Sequence, residues 1–400
     1  MFKRNLAPFI KKRAEKMPVI AVLGPRQSGK TTLVRTIFQQ HVYVSLENFD
    51  DREFAQKDPR RFLEVHSNEH GMILDEIQQA PKLLSYIQTL VDLQHRPWYF
   101  IITGSSNILV NEAVSQTLAG RIALFTLLPF SLAELTENQL LPETIEAAVF
   151  KGGYPRIYAY DLEPIPWYQD YIETYVERDV RLISHIEHLQ VFRKFIKLCA
   201  GRVGQLLNIA SLAIDCGIDQ RTAKAWLSVL EESYILFLLQ PHHENFNKRL
   251  TKSPKIYFYD SGLICALLDI KSVDQLHDHY LRGSIVESFL ISEIFKHYYH
   301  NAERPSHVYF WRNHTGNEID CVIQKNNQLV PIEIKAGKTV TSDYFKGLVY
   351  WSQLTDLPSA GYVIYAGDKD QSRKEGIVLS WRHLEDVFKI DGTLQELPLR

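Results

Sequence analysis

Gly24-Pro25-Arg26-Gln27-Ser28-Gly29-Lys30-Thr31, followed by Thr32, is the stretch whose reading decides the fold. It meets the pattern G-x-x-x-x-G-K-[ST] at each fixed position. Val19 to Leu23, just before it, is an apolar run that reads as a buried strand, and Thr32 to Phe38 reads as a helix. A phosphate-binding loop needs that order, because a helix N-terminus and successive backbone N–H groups then form an anion cradle. Gly24 and Gly29 allow backbone geometry that a side chain would obstruct. Lys30 is expected to reach the β- and γ-phosphates, and the Thr31 hydroxyl to help hold Mg²⁺. Gly24, Pro25, Arg26, Gln27, Ser28, Gly29, Lys30, Thr31 and Thr32 are thus the expected ATP-binding residues.

Outward from the loop, Gly71 to Glu76 is a short apolar run ending in two adjacent acids. Asp75 at a strand end suits Mg²⁺, and Glu76 suits the group that orients and polarises the attacking water. Trp98 to Ser106 is a further strand, expected beside the one carrying Asp75. Ser105 or Ser106 at its end is placed to hydrogen-bond the γ-phosphate or the water; capping the next helix is the equal alternative. Arg121, after Gly120, reads either as an arginine finger acting in cis or across a subunit interface, or as a surface residue of a last helical turn. Glu47, Asn48, Asp50 and Asp51, after the strand Val42–Leu46, read as a solvated acidic turn.

GPRQSGKTT, MILDEIQ, ITGSS, LAGR and KGGYP together resemble the AAA+-type ATPase domain of a large prokaryotic family. Its members pair that domain with a C-terminal domain long labelled as uncharacterised, and the resemblance covers almost the whole chain. Gly152, Gly153 and Pro155 match the family's G-G-x-P element, which reads as a turn.

Tyr168–Leu182 reads as a helix carrying Glu177, Arg178 and Asp179, and Phe192–Val203 as another. Ile209–Ile214, a glycine at Gly217, and Gln220–Leu230 with Asp219 as N-cap give helix-turn-helix spacing. Tyr234–Leu239 and Lys255–Tyr259 read as strands, with Lys248, Arg249, Lys252 and Lys255 in or beside the segment joining them. This resembles a winged helix with a basic wing. Arg221, Lys224 and the wing cations are the candidate DNA contacts, against the plainer reading of a packing or hinge module.

The last third has the order αβββαβ. Glu287 sits on its first helix, Asp320 on its second strand, and Glu333-Ile334-Lys335 on its third. Residues two apart in a strand share a face, so Glu333 and Lys335 point the same way. This resembles the PD-(D/E)xK nuclease fold. The resemblance implies Mg²⁺ or Mn²⁺ on Asp320 and Glu333, a further metal or water contact from Glu287, and Lys335 positioning the nucleophile. A retained fold with a Glu333–Lys335 salt bridge is the alternative.

The chain has 400 residues, 45% hydrophobic and 23% charged, with a formal net charge of −2 and a pI of about 6.7. That composition suits a globular protein and excludes a polycation, so any nucleic-acid contact must be local. The four cysteines form no C-x-x-C pair, which points to a reducing, cytoplasmic setting. No apolar run follows the basic start, and Ile122–Phe130 is too short to span a bilayer, so neither a secretory signal nor a membrane partner is expected. The histidines do not gather at metal-ligand spacing.

The expected architecture is α/β and multidomain: an AAA+-type P-loop NTPase domain over 1–165, a winged-helix module over 166–270, and a PD-(D/E)xK nuclease-like domain over 271–400. The leading reading is Mg²⁺-dependent ATP hydrolysis by Lys30, Thr31, Asp75 and Glu76, coupled to action on DNA. An ATP-regulated, metal-dependent DNA endonuclease and a non-enzymatic nucleotide switch binding DNA or protein are the alternatives. A homo-oligomer is the assembly an arginine finger in trans would require.

Overall fold

A computed structural model describes residues 2–94, 96–105, 117–176, 189–242, 253–325, 328–355 and 361–389. Five parallel strands build its first sheet: β1 (Val19–Leu23), β2 (Val42–Ser45), β3 (Met72–Asp75), β4 (Phe100–Gly104) and β5 (Ile122–Thr126), in the order β2-β3-β4-β1-β5. All residues of β1, β3 and β4 are buried, because helices cover both faces of a parallel sheet. Those helices are α1 (Ala7–Ala14), α2 (Lys30–Ile37), α3 (Phe49–Lys57), α4 (Pro59–His66) and α5 (Leu83–Gln94). They close two separate cores, one on each face. The carboxyl ends of β1, β3 and β4 share one edge, where ligands bind in open α/β sheets. As expected, β4 lies beside β3.

The chain then runs through α6 (Leu132–Glu137), α7 (Ile145–Lys151), α8 (Pro155–Ala159) and α9 (Pro164–Tyr171), which passes into a π-helical turn at Ile172–Val176. Glu177, Arg178 and Asp179 lie outside the described residues. Next come α10 (Leu189–Ala200), α11 (Ile209–Cys216) and α12 (Gln220–Glu232). Asp219 caps α12 as expected, accepting N–H bonds from Arg221 at 2.8 Å and Thr222 at 3.0 Å. Strands β6 (Leu236–Leu239) and β7 (Lys255–Phe258) form an antiparallel pair, and Leu206 bridges to Lys255 on the other side of β7. Lys248, Arg249 and Lys252 lie outside the described residues.

After α13 (Ser261–Leu267) and α14 (Val273–Asp278), the long helix α15 (Arg282–His300) leads into the second large sheet. Its strands are β8 (Val308–Arg312), β9 (Glu318–Lys325), β10 (Gln328–Lys335), β11 (Gly361–Tyr365), β12 (Gln371–Arg373) and β13 (Gly376–Ser380), in the order β12-β13-β11-β10-β9-β8. The pairs β8–β9, β9–β10 and β12–β13 are antiparallel, and β10–β11 and β11–β13 are parallel. Helix α16 (Lys346–Thr355) crosses between β10 and β11, and α17 (Asp386–Lys389) follows β13. The expected αβββαβ order is present over α15 to β11. Pro331 sits within β10, opposite Val322 of β9.

The middle and last segments are less separate than the sequence suggested. One continuous apolar core runs from Leu128 and Phe130 through α7–α15 to Ile332, Ile364 and Trp381. Beyond β6, Pro241 bridges to Phe310 of β8, and the His242 N–H donates to the Phe310 carbonyl at 2.7 Å. Ile145, Ala148 and Val149 of α7 are buried in that core, so residues expected in the first domain pack with the middle one. Among the described residues, no helix is long and apolar enough to cross a membrane.

Candidate functional site

The phosphate loop joins β1 to α2 as its motif requires. Gly24 has φ +147°, and a Cβ there would stand 2.2 Å from the Leu127 carbonyl oxygen, so the loop packs directly on the backbone leaving β5. Gln27 is also left-handed, with φ +64°. Lys30 is buried, and its Nζ donates to the carbonyls of Gly24 (3.0 Å) and Pro25 (2.8 Å). Burial lowers its pKa, against the opposing pull of Glu76 and Asp75.

Asp75 ends β3 with its carboxylate among hydroxyls. Thr31 Oγ1 donates to it at 2.9 and 3.0 Å, Tyr43 at 2.8 Å, and Thr103 of β4 in a shorter bond. Thr31 and Asp75 therefore meet as an all-oxygen pair, the donor chemistry that Mg²⁺ takes beside phosphates. Tyr43 has its pKa pushed up to about 12, by burial first and Asp75 second.

Glu76 follows in the left-handed region, with φ +57° and ψ +52°. An ionisable residue held there is a strain signal that belongs at functional sites. Its Oε2 accepts the Ser105 N–H (3.2 Å), the Ser105 hydroxyl (2.9 Å) and the Gln78 amide. Burial alone would raise Glu76, but Lys30, Gln78 and Ser105 outweigh it and hold the carboxyl below its ordinary value. It is the carboxylate that Ser105 holds; the position of Ser106 lies outside the described residues.

A cleft of about 720 Å³ opens over this edge. Beyond the loop residues it is lined by Phe2, Ala7 and Lys11 on one side and by Pro155, Arg156 and Tyr160 of the G-G-x-P segment and α8 on another. The glycines before α8 are sterically required: a Cβ on Gly152 would meet the Tyr168 hydroxyl at 2.0 Å, and one on Gly153 the Phe130 carbonyl at 2.6 Å. The turn reading holds, and the turn also delivers α8 to the cleft.

Arg4 was not singled out from sequence. Its guanidinium is buried and donates to Glu134 Oε1 (3.0 Å), the Ser28 carbonyl (2.7 Å) and the Leu128 carbonyl (2.6 Å). It thus braces the phosphate loop from behind. Tyr43, Gln78 and Thr103 were missed as well. A hydroxyl at the end of a strand next to β3 was the one available signal for Thr103; Arg4 had none, because its partners lie 24 to 130 residues away.

The structure does not bring Arg121 to this site. Its carbonyl accepts the Val19 N–H at the amino end of β1, the opposite edge of the sheet from the loop. Its guanidinium forms a two-point pair with Asp92, 2.5 Å from Nε to Oδ1 and 3.0 Å from Nη2 to Oδ2. The reading in cis is therefore corrected.

In the last third, Asp320, Glu333 and Lys335 converge as expected. Lys335 Nζ lies 2.5 Å from Glu333 Oε2 and 3.7 Å from Asp320 Oδ2. Glu287 is one ion pair away, 3.1 Å from the Nζ of Lys255. The metal assignment of Glu287, Asp320 and Glu333 does not follow from this convergence: among the described residues no group of three or more His, Cys, Asp or Glu is arranged to hold a metal ion. Lysines stand between these acids instead. Lys255, expected on a DNA-facing wing, is 3% exposed and points into the acids, which corrects its assignment too.

Residues 16–136 match the family model described as AAA domain. Residues 142–274 and 282–384 match two families each described as a domain of unknown function, DUF8612 and DUF4143. The first match agrees with the phosphate loop and supports ATP binding and hydrolysis. An uncharacterized protein of Mycobacterium tuberculosis is 28% identical over 371 residues, which are 92% of this chain and 80% of that protein. An uncharacterized protein of Methanocaldococcus jannaschii is 23% identical over 350 residues, 80% of this chain and 75% of that one. Among solved structures, the Walker-type ATPase paby2304 of Pyrococcus abyssi is similar with a TM-score of 0.44 and 16% identity, over 67% of this chain and 96% of that one. The RuvB Holliday junction branch migration motor of Thermotoga maritima gives 0.30 and 18%, over 58% and 85%.

Proposed function

We propose that the chain binds ATP in the cleft over β1, β3 and β4 and hydrolyses it. The observation that carries this is the convergence of Lys30, the Thr31–Asp75 pair and a braced Glu76 at one edge of a parallel sheet. Lys30 would leave its backbone carbonyls for the β- and γ-phosphates. Thr31 and Asp75 would hold Mg²⁺, which offsets phosphate charge when bound. Glu76, held below its ordinary pKa, is ionised at neutral pH. Ser105 and Gln78 both use Oε2, which leaves Oε1 to accept a proton from the attacking water. Arg156 and Tyr160 border the same cleft and are candidates to cover the nucleotide.

The test is phosphate release by the purified chain with Mg²⁺ and ATP. Lys30→Ala should weaken nucleotide binding. Glu76→Gln keeps the shape but removes the base, so ATP should bind and persist while turnover falls about a hundredfold or more. Wild-type turnover in Glu76→Gln refutes the role of that residue. A wild-type chain that binds ATP without releasing phosphate favours the nucleotide switch instead.

The same proposal gives hydrolysis a partner, DNA, through the middle module. The order α10, bridging residue Leu206, α11, α12, β6, β7 supports a winged-helix reading, and Arg221 and Lys224 are exposed on α12. Arg221→Ala with Lys224→Ala should weaken binding to a DNA duplex and reduce the salt slope by about 2, one per lost phosphate contact. An unchanged affinity and slope make α12 a solvated face. A metal-dependent endonuclease is not favoured, for the reason that follows.

A further inference from the structure

The acids at one end of the second sheet are surrounded by side chains that do not suit a divalent ion. Lys255 reaches them from β7, and its Nζ contacts Glu287 Oε1 at 3.1 Å and Glu318 Oε1 more closely. Arg312 Nη1 lies 3.0 Å from the other Glu318 oxygen. Lys335 bridges Glu333 and Asp320. The same oxygens take further donors: Asp320 Oδ2, beside Lys335, also accepts the Ile334 N–H at 2.8 Å, and Glu287 Oε1, beside Lys255, also accepts the Tyr257 hydroxyl.

Four carboxyls thus face three cations. With all four ionised the set carries one net negative charge, so these three fixed cations already offset most of it. A divalent ion added to this set would turn that balance into a net positive charge beside three fixed cations. Space argues the same way. A Cβ on Gly347 of α16 would stand 1.9 Å from Glu333 Oε1, so the helix backbone lies directly on that carboxyl. Mg²⁺ keeps several of its waters, and this side of Glu333 has no room for them. Lys255 is also fixed in position by its backbone, which pairs with Leu239 on one side and Leu206 on the other.

We infer that Lys255 is the resident cation of this cluster, standing in for the divalent ion, and that the cluster is an ion-paired joint between the β6–β7 hairpin and the second sheet. The nuclease-like order of elements therefore comes without metal-dependent phosphodiester cleavage in the docked chain. This does not rest on the ATPase reading.

The experiment uses the full chain free of nucleotide, so that no phosphate recruits metal to the first site. Mn²⁺ is titrated in, and the free ion is followed by its EPR signal. The wild type should show no saturable uptake that Asp320→Asn alters. Uptake of one Mn²⁺ per chain, weakened about tenfold or more by Asp320→Asn, overturns the inference. In thermal unfolding, Lys255→Met should lower Tm, and adding Glu287→Gln and Glu318→Gln should recover part of the loss by removing the stranded charges. A Lys255→Met chain with wild-type Tm also overturns it. Should Lys255→Met fail to fold, Lys255→Arg keeps the charge and should retain a near-wild-type Tm, and the Mn²⁺ titration of the wild type decides by itself. Phosphate release from ATP is read separately, so failure of one proposal is distinguishable from failure of the other.

Discussion

Arg4 shows how much of the nucleotide edge depends on single buried charges. Its partner Glu134 is fully buried, and burial would raise that carboxyl if Arg4 and His300 did not pull it below its ordinary value. Arg4→Met strands the Glu134 charge, which should destabilise the chain by about 3–5 kcal/mol. It also frees the Ser28 carbonyl, so KM for ATP should rise in whatever fraction remains folded. A Tm loss with unchanged nucleotide affinity would make Arg4 structural only. His300 of α15 lies 3.4 Å from the other Glu134 oxygen. Burial lowers its pKa to about 4; Glu134 opposes this, while Arg4 and Lys296 add to it. The unfolded chain takes up this proton near pH 6.5 and the folded chain only near 4. Stability is therefore full above about 6.5 and is lost as pH falls toward 4, by of order 3 kcal/mol from this residue. Denaturant unfolding across that range should show a shallower acid slope for His300→Phe, and an unchanged slope counts against the assignment.

At the scale of elements, the loop between β1 and α2 is set by contact with the strand beside it. Gly24→Ala must push the Leu127 carbonyl away from a 2.2 Å approach. The expected cost is about 1–3 kcal/mol, with weaker ATP binding because the cradle moves with the backbone. Calorimetry and nucleotide titration check both. Arg121 belongs to the same scale: a residue entering β5 cannot share an edge with a loop leaving β1, since the parallel strands between them rise about 3.3 Å per residue. Only a second copy can bring it to a nucleotide. If it acts that way, mixing Arg121→Ala with Lys30→Ala chains should recover hydrolysis through mixed interfaces. No recovery despite demonstrated co-assembly rules out the trans role. The exposed Arg121–Asp92 pair should matter little to Tm, since such pairs are worth about 0–1 kcal/mol.

Across the whole molecule, one core joins residues from Leu128 to Val387, the first sheet has two of its own, and the second sheet has another around Trp311, Trp351 and Val363. A fragment spanning 128–400 should therefore fold cooperatively. A fragment spanning 282–400 should expose the α15 face that α7 and α13 cover, and aggregate. Soluble, cooperatively unfolding 282–400 would show that the second sheet is an independent domain. Helix α15 ties the parts together: Glu293 accepts the Leu132 N–H at 2.6 Å and Lys296 donates to the Phe130 carbonyl at 3.0 Å. Those contacts fall in the same segment that Arg4 binds beside the phosphate loop.

What the sequence determined by itself was local chemistry. The loop from Gly24 to Thr32, the acids ending β3, the Asp219 cap and the α15–β11 order were all legible, because spacing and periodicity encode contacts between residues near in sequence or in a regular element. The convergence of Asp320 with Glu333 and Lys335 was legible for the same reason, through strand alternation. What only the tertiary structure decided was charge pairing across long separations. Lys255 looked like a wing cation because its neighbours in sequence are basic; in the fold it stands 3.1 Å from Glu287 and closes the acids that the sequence offered to a metal. Arg121 looked like a finger because it follows a helix-ending glycine; the strand order sent it to the far edge of the sheet. A buried charge is defined by what faces it, and that partner is set by packing rather than by position in the chain.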